Sequence, residues 1–361
     1  MIKAEGIATN APGGGAAYGN YEIQEDQGDV EVQTLFTGIC GTDRGMVAGH
    51  LPFAYNPVGQ GNIILGHEAL GRIADPGAST RFRKGDLVVP VVRRPGSCVN
   101  CRIGREDNCS DGEKHEAGIT GKNGFMRRTF RDQEEYLVRV PDTSMKDYAV
   151  LAEPTKNVMK ALEVFGLVSR RSVFTGEDST YEGKNCTVIG TGPEAFLYAI
   201  SFSELGFATY ITNRHPVDDD RLKICDYFGL TFVDYSKDIK AFDKGIDVVV
   251  DTSGDPATLF SFFRKLNYNG MALLFGTNGR AQPTPVSGAD IDLMIERNLT
   301  MFGTVDAAKV HYVQALQKLY KWGNLPNSPL RKLITGMYDP MDVSVFTQRK
   351  PSEIKAVIRW E

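Results

Sequence analysis

The turn Gly190-Thr191-Gly192-Pro193-Glu194-Ala195 constrains this chain more than any other stretch, because it joins a short apolar run to a helical one. Asn185-Cys186-Thr187-Val188-Ile189 precedes it, and helical apolar spacing follows over 195–205. In the pattern G-x-G-x-x-A the first glycine makes a tight turn and the second lets a pyrophosphate approach the backbone. The small third residue lets the helix pack on its sheet with its N-terminus toward the phosphates. The pattern is weak alone and gains force from the strand before it and the helix after it. Further β runs stand at 208–213, 246–251, 271–276 and 299–304, with helical stretches over 256–266 and 307–322. Short β runs alternating with helices predict a parallel, doubly wound sheet.

Dinucleotide folds selective for NAD end the second strand with an acid that accepts from the ribose 2′-hydroxyl. Here the residues are Asn213-Arg214-His215. No carboxylate in that run repels a 2′-phosphate, and Arg214 can pair with one through charge-assisted hydrogen bonds. NADP is the expected cofactor, with His215 as a further contact. Asn213 can still hydrogen-bond a bare ribose, so NAD is a second expectation. Thr252, Gly276, Thr277, Thr304 and Asp306, near the ends of the later β runs, complete the expected cofactor contacts.

The first half carries a different chemistry. Gly38-Ile39-Cys40-Gly41-Thr42-Asp43 and Leu65-Gly66-His67-Glu68-Ala69 offer a thiol and an imidazole, ligands that suit zinc. They are far apart in sequence, unlike the ligands of a zinc finger. A site assembled by the fold, with one position left open, is the signature of a catalytic zinc. The chain has only five histidines, which adds weight to the one inside Gly-His-Glu. Around these residues the text reads as strands and turns: a turn at 11–15, an alternating strand at 30–36 and a buried one at 86–92. A helix is expected over 149–164, and the alternation at 353–360 predicts that the tail rejoins the first domain.

A net charge of −4 gives no basic face for nucleic acid. No apolar run has transmembrane length, and Met1-Ile2-Lys3-Ala4-Glu5 does not begin a signal peptide. The expectation is a cytoplasmic protein, whose cysteines serve as ligands or buried thiols.

A nicotinamide half combined with a distributed zinc site points to alcohol-type dehydrogenation. The chain resembles the zinc-dependent medium-chain dehydrogenases, and within them the archaeal glucose dehydrogenases. Besides the Cys40 and His67 segments, the resemblance is carried by Arg93-Arg94-Pro95-Gly96, His115-Glu116-Ala117-Gly118-Ile119, Gly124-Phe125-Met126-Arg127, Leu151-Ala152-Glu153-Pro154 and Glu353-Ile354-Lys355. It implies an α/β chain with a GroES-like, β-rich catalytic domain (1–184 and 307–361) and a Rossmann domain (185–306). It also implies that Cys40 and His67 ligate the catalytic zinc with Glu153, which stands where the alcohol branch has a cysteine. Glu68 is an alternate ligand or an orienting acid and, with Thr42, belongs to the catalytic set. Thr42 is the family's proton-relay hydroxyl. Thr42, Glu116, Glu153 and Asn157 are the implied sugar contacts, while Val92 replaces an asparagine that other members use. The implied activity is oxidation of glucose, and of galactose as a second sugar, at C1 to the lactone, in a tetramer or dimer. The rival readings are a zinc polyol or secondary-alcohol dehydrogenase of sorbitol or threonine type, and a non-catalytic NADPH-binding protein.

Cys98, Cys101 and Cys109 fit the family's structural-zinc pattern C-x2-C-x2-C-x7-C without its first member, where Pro95 stands. Structural zinc is almost always four-coordinate, so a fourth ligand is expected at Glu113, with Asp111 and His115 as alternatives. A lobe without metal is the other reading. Cys186 and Cys225 occupy apolar positions of a strand and a helix and belong to the core.

Overall fold

The computed structural model describes residues 1–10, 13–24, 26–112, 115–172, 181–277 and 286–361, with Ile239 described by its backbone alone. These divide into two units, Met1–Lys156 with Asp306–Glu361, and Asn157–Val305. The lower boundary falls inside the helix Ala152–Ser169 rather than at 184/185. The far half of that helix explains the difference. Phe165 packs on Tyr181, Phe202 and Phe207, with ring centroids 5.4, 5.2 and 6.0 Å away. Burying such a ring stabilises by about 1.5–3 kcal/mol, which ties this half of the helix to the second unit.

The first unit is built on a seven-stranded sheet. Its order is Leu137–Arg139, Leu87–Pro90, Glu68–Asp75, Val30–Ile39, Lys355–Arg359 and Ile334–Tyr338, and Thr129–Asp132 also pairs with Val30–Ile39. Val30–Ile39 alternates in burial at its start and is buried throughout its second half, as suits a strand covered on both faces. Lys355–Arg359 pairs antiparallel with it, so the tail does rejoin this unit. Two three-stranded sheets complete it: Ala17–Ile23, Ile2–Thr9 and Ile63–Ile64, and the lobe strands Arg93–Arg94, His115–Ala117 and Gly121–Lys122. Of the turn expected at 11–15, Ala11 and Pro12 lie outside the described residues.

The second unit is a six-stranded parallel sheet. Its order is Thr231–Asp234, Ala208–Asn213, Asn185–Ile189, Ile246–Asp251, Leu266–Leu274 and Thr300–Gly303. The order reverses direction between Asn185–Ile189 and Ile246–Asp251, and ligands of such sheets bind beyond the carboxyl ends of the strands at that reversal. One strand begins earlier than the apolar run suggests: the helix Pro256–Phe263 stops short and the strand starts at Leu266. The ladder slips between Ile246 and Val248, opposite a stretch where Asn269 takes a left-handed φ of 62°. Asparagine tolerates that region, so the strand is irregular there and continues. Among the described residues no helix is long and apolar enough to cross a membrane.

Candidate active site

Strand register builds the first cluster. Gly38 stands opposite Glu68, and Ala356 opposite Ile39, so Cys40, His67 and Lys355 emerge at one end of three adjacent strands. Among the described residues, the ligand-type atoms of Cys40, His67 and Glu68 lie within 4.8 Å of one another. Asp43, fully buried, organises two of them. Its Oδ2 accepts from the Cys40 amide at 2.8 Å, and its Oδ1 accepts from the Gly66 amide at 3.3 Å and lies 3.4 Å from His67 Nδ1. With Nδ1 turned to a carboxylate, Nε2 is the nitrogen left for a metal. Glu68 is fixed by Lys355, whose Nζ donates to its two oxygens at 2.6 and 2.7 Å. A Cβ on Gly38 would stand 2.0 Å from Glu68 Oε2, so glycine makes room for this carboxylate. The Thr42 hydroxyl lies 3.8 Å from Cys40 Sγ. Burial pushes the Cys40 thiol above its ordinary value, with His67 pulling the other way. Burial opposes charge on His67, but Asp43 and Cys40 outweigh it and hold the imidazole well above its usual value. Sulfur, nitrogen and oxygen donors at one point, two of them oriented from behind, fit zinc.

Glu153, expected as the third ligand, is not in this group. Its carboxylate is 3.1 Å from Lys156 Nζ, three residues on in the same helix, and both side chains are buried. A buried ammonium needs a partner, and the i,i+3 spacing supplies one. Lys156 Nζ also lies 5.8 Å from the Tyr312 ring centroid. Burial disfavours charge on Lys156, yet Glu153, Tyr312 and Asp306 hold its ammonium above the ordinary value. Tyr312 Oη accepts from the Val92 amide at 3.1 Å. Burial pushes this phenol up, and the charges of both Glu153 and His67 reach it. Glu116, a candidate sugar contact, accepts from Arg93 at 3.1 Å. Arg93 also pairs with Asp306. Asp306, expected at the cofactor, falls with Arg93 in the first unit. Asn157 Oδ1 is buried without a hydrogen-bond partner among the described residues.

At the reversal of the parallel sheet, Gly190 has φ 117°, and a Cβ there would lie 2.4 Å from Thr252 Oγ1. Thr252 in turn donates to the Ile189 carbonyl at 2.7 Å. Gly192 caps the helix Pro193–Glu204, with Glu194 in its first turn and Ala195 buried under it. A Cβ on Gly192 would meet nothing nearer than Glu194 Oε2 at 3.9 Å, so space is open where a phosphate needs it. A cavity of about 270 Å³ adjoins this turn, lined among others by Gly190, Asn213, Arg214, His215, Tyr235 and Asp255. Gly276 is pressed against Gly254, while Thr277 beside it is exposed. Thr304 Oγ1 is buried and unpartnered among the described residues. A glycine cradle at a helix N-terminus beside an arginine-bearing cavity fits a dinucleotide phosphate.

The model for the C-terminal part of glucose dehydrogenases matches residues 146–360, and the model for the GroES-like domain of alcohol dehydrogenases matches 26–142. The chain belongs to the glucose dehydrogenase family. It is 51% identical to a glucose 1-dehydrogenase of Thermoplasma acidophilum, with all of both chains covered. It is 37% identical to one of Metallosphaera sedula, covering 98% of each. Its fold is similar to that of Haloferax mediterranei glucose dehydrogenase in complex with NADP, zinc and gluconolactone: TM-score 0.84, 27% identity, 100% of this chain and 99% of that one.

The lobe of this family member gathers Cys98, Cys101 and Cys109 within 4.8 Å. Hydrogen bonds from the Cys101 and Ser110 amides pull the Cys98 thiol down to about 6, while burial pushes Cys101 up to about 11. Glu113 lies outside the described residues. Asp111 and His115 are exposed and do not join the cluster; Asp111 accepts from Ser97 instead. Sequence reasoning missed Asp43, Lys156, Arg93, Tyr312, Lys355 and Asp255 as site residues. Asp43 had a local signal, the Cys-x-x-Asp spacing across a helix start, and Lys156 stands at i,i+3 from Glu153; the other four reach the site through tertiary contacts.

Proposed function

We propose that this chain oxidises D-glucose at C1 to the lactone with NADP as hydride acceptor, and that its metal site is the Cys40–His67–Glu68 corner. The observation that carries the reading is that corner: three donors at one sheet end, held from behind by Asp43 and Lys355. When bound, zinc supplies Lewis-acid charge for the sugar oxygen and NADP supplies the hydride acceptor. The Thr42 hydroxyl, next to the Cys40 sulfur, takes the proton from the C1 hydroxyl and hands it toward solvent as C1 gives up its hydride and the carbonyl forms. Glu68 is held through both oxygens by Lys355, and Glu153, balanced by Lys156, accepts from a sugar hydroxyl. Glu116, oriented by Arg93, and Asn157, with its unpartnered oxygen, are the further hydroxyl contacts.

Galactose is a second sugar and NAD a second cofactor in this reading. The Cys98–Cys101–Cys109 lobe holds a structural zinc with Glu113. Assembly as a dimer or tetramer rests on the resemblance and on the edge strand Thr300–Gly303, whose outer side pairs with no strand among the described residues. A cytoplasmic location follows from the resemblance alone. The test is reduction of NADP and NAD with glucose, galactose, xylose, sorbitol and threonine, alongside zinc analysis. Glucose oxidation with two zinc ions per chain supports the reading. Activity on sorbitol or threonine without any sugar oxidation overturns it, and one zinc in fully active protein removes the structural ion.

A further inference from the structure

The cavity beside the glycine turn is lined by a carboxylate, Asp255, that the strand-end residues Asn213-Arg214-His215 do not reveal. Arg214 Nη2 lies 3.2 Å from Asp255 Oδ2 and 3.2 Å from Thr258 Oγ1, and its Nε donates to Tyr235 Oη at 3.2 Å. Asp255 and Arg214 both line the cavity. Asp255 is also the N-cap of the helix Pro256–Phe263, and its carboxylate accepts from the Thr258 amide and hydroxyl. Those bonds, the hydroxyl's first, hold the Asp255 carboxyl below its ordinary value, so it is an anion at neutral pH.

We propose that Asp255 is a specificity-determining residue of the nucleotide cavity: its fixed negative charge, bound to one edge of Arg214, disfavours a 2′-phosphate and keeps NAD a working cofactor. The inference rests on the reading of this cavity as the NADP site. A guanidinium has five donors in a fixed fork. In Arg214, Nε is used by Tyr235 and Nη2 by Asp255 and Thr258, which leaves Nη1 for a phosphate. Tyr235 and Thr258 hold the fork without Asp255, so the carboxylate is not needed to orient it. What Asp255 adds is charge. A phosphate ester carries about −1.5 to −2 at pH 7 and is repelled by a neighbouring carboxylate. The 2′-hydroxyl of NAD has no such charge and can donate to that same carboxylate. Arg214 thus attracts the phosphate while Asp255 offsets part of the attraction.

The test is titration calorimetry of the full chain with 2′,5′-ADP and with 5′-AMP, for the wild type, D255N and D255S. Asparagine and serine keep an N-cap acceptor and remove the charge, and a thermal melt of each variant checks that the helix start survives. The expected result is a gain in 2′,5′-ADP affinity of about fivefold in both variants, with 5′-AMP unchanged or weaker. The gain shrinks at high salt, as for half-exposed charges. If 2′,5′-ADP binds equally or more weakly in the variants while the wild type binds both fragments, Asp255 does not oppose the phosphate and the inference falls alone. If the wild type binds neither fragment, the reading of the cavity falls and takes the inference with it.

Discussion

The metal corner and the nucleotide cavity both depend on charged side chains, but they hold them under opposite conditions. At the corner Asp43 and Glu68 are completely buried, and the Lys355 side chain is 2% exposed. At the cavity Arg214 is 59% exposed and Asp255 23%. Charges taken out of water are costly unless every one is paired, and removing one partner leaves the other stranded. Half-exposed charges are screened, so their pairs are worth little. The corner is therefore rigid and intolerant, and the cavity is adjustable. Under the proposed function, geometry for bond-breaking would be set in the first place and preference between similar cofactors in the second.

The largest expected effect lies at the corner. Cys40→Ser and His67→Ala should each lower kcat/KM for glucose by about 10³- to 10⁴-fold, roughly 4–5.5 kcal/mol of transition-state stabilisation. Steady-state kinetics with zinc analysis checks this, and each variant should lose the catalytic ion. Loss of activity with full zinc content would separate these residues from metal binding.

Next comes the buried pair behind the metal. Lys355→Met removes the ammonium and strands Glu68 in the sheet, which should cost about 3–5 kcal/mol of stability. Chemical denaturation of the protein under saturating zinc gives the number. A loss below about 1 kcal/mol, typical of an exposed pair, would mean that water reaches Glu68 and that the corner is no drier than the cavity.

How much of this the sequence disclosed follows the same division. Local patterns were legible: the strands Ala208–Asn213 and Ile246–Asp251 begin and end where their apolar runs do, and the glycine turn sits between strand and helix. Cys40 and His67 were readable as partners because sulfur and imidazole narrow the chemistry. The charged residues behind them were not. Lys355 reaches Glu68 across 287 positions, and nothing local distinguishes a buried lysine from a solvated one. Lys156 was hidden for a related reason, since an i,i+3 pair on a helix usually lies on the wet face. Glu153, paired with it, does not join the Cys40–His67–Glu68 group. The short lobe strands and Thr231–Asp234 have too few apolar residues to register as strands, and partners in the sheet define them. Asp255 reads as a helix cap, which it is; its second role depends on Arg214, 41 residues earlier.

An intermediate effect is expected between the two regimes, at Arg93. This arginine is buried and holds both Glu116 and Asp306, and under the proposed function it would act on the sugar through Glu116. Arg93→Met should raise KM for glucose about tenfold, about 1.4 kcal/mol, with a smaller change in kcat. KM for NADP measured alongside distinguishes a sugar-positioning role from general loss of structure, because the nucleotide turn is built in the other unit. If both KM values rise together, Arg93 supports the fold and not Glu116.

The smallest effect belongs to the exposed side. Arg214→Ala should weaken NADP about fivefold, near 1 kcal/mol, while leaving NAD almost unchanged. The modest size follows from what the residue does before any cofactor arrives. Its guanidinium is shared among Tyr235, Asp255 and Thr258, it stands largely in water, and salt shortens the reach of its charge. Removing it also leaves Asp255 as an uncompensated anion, which still favours the neutral ribose of NAD. The ratio of the two cofactor affinities should therefore shift by about the same fivefold, and the shift should narrow as ionic strength rises. Equal losses for NADP and NAD would mean that Arg214 touches the shared adenine or ribose, and the contrast between a fixed corner and a tunable cavity would then need another residue to carry it.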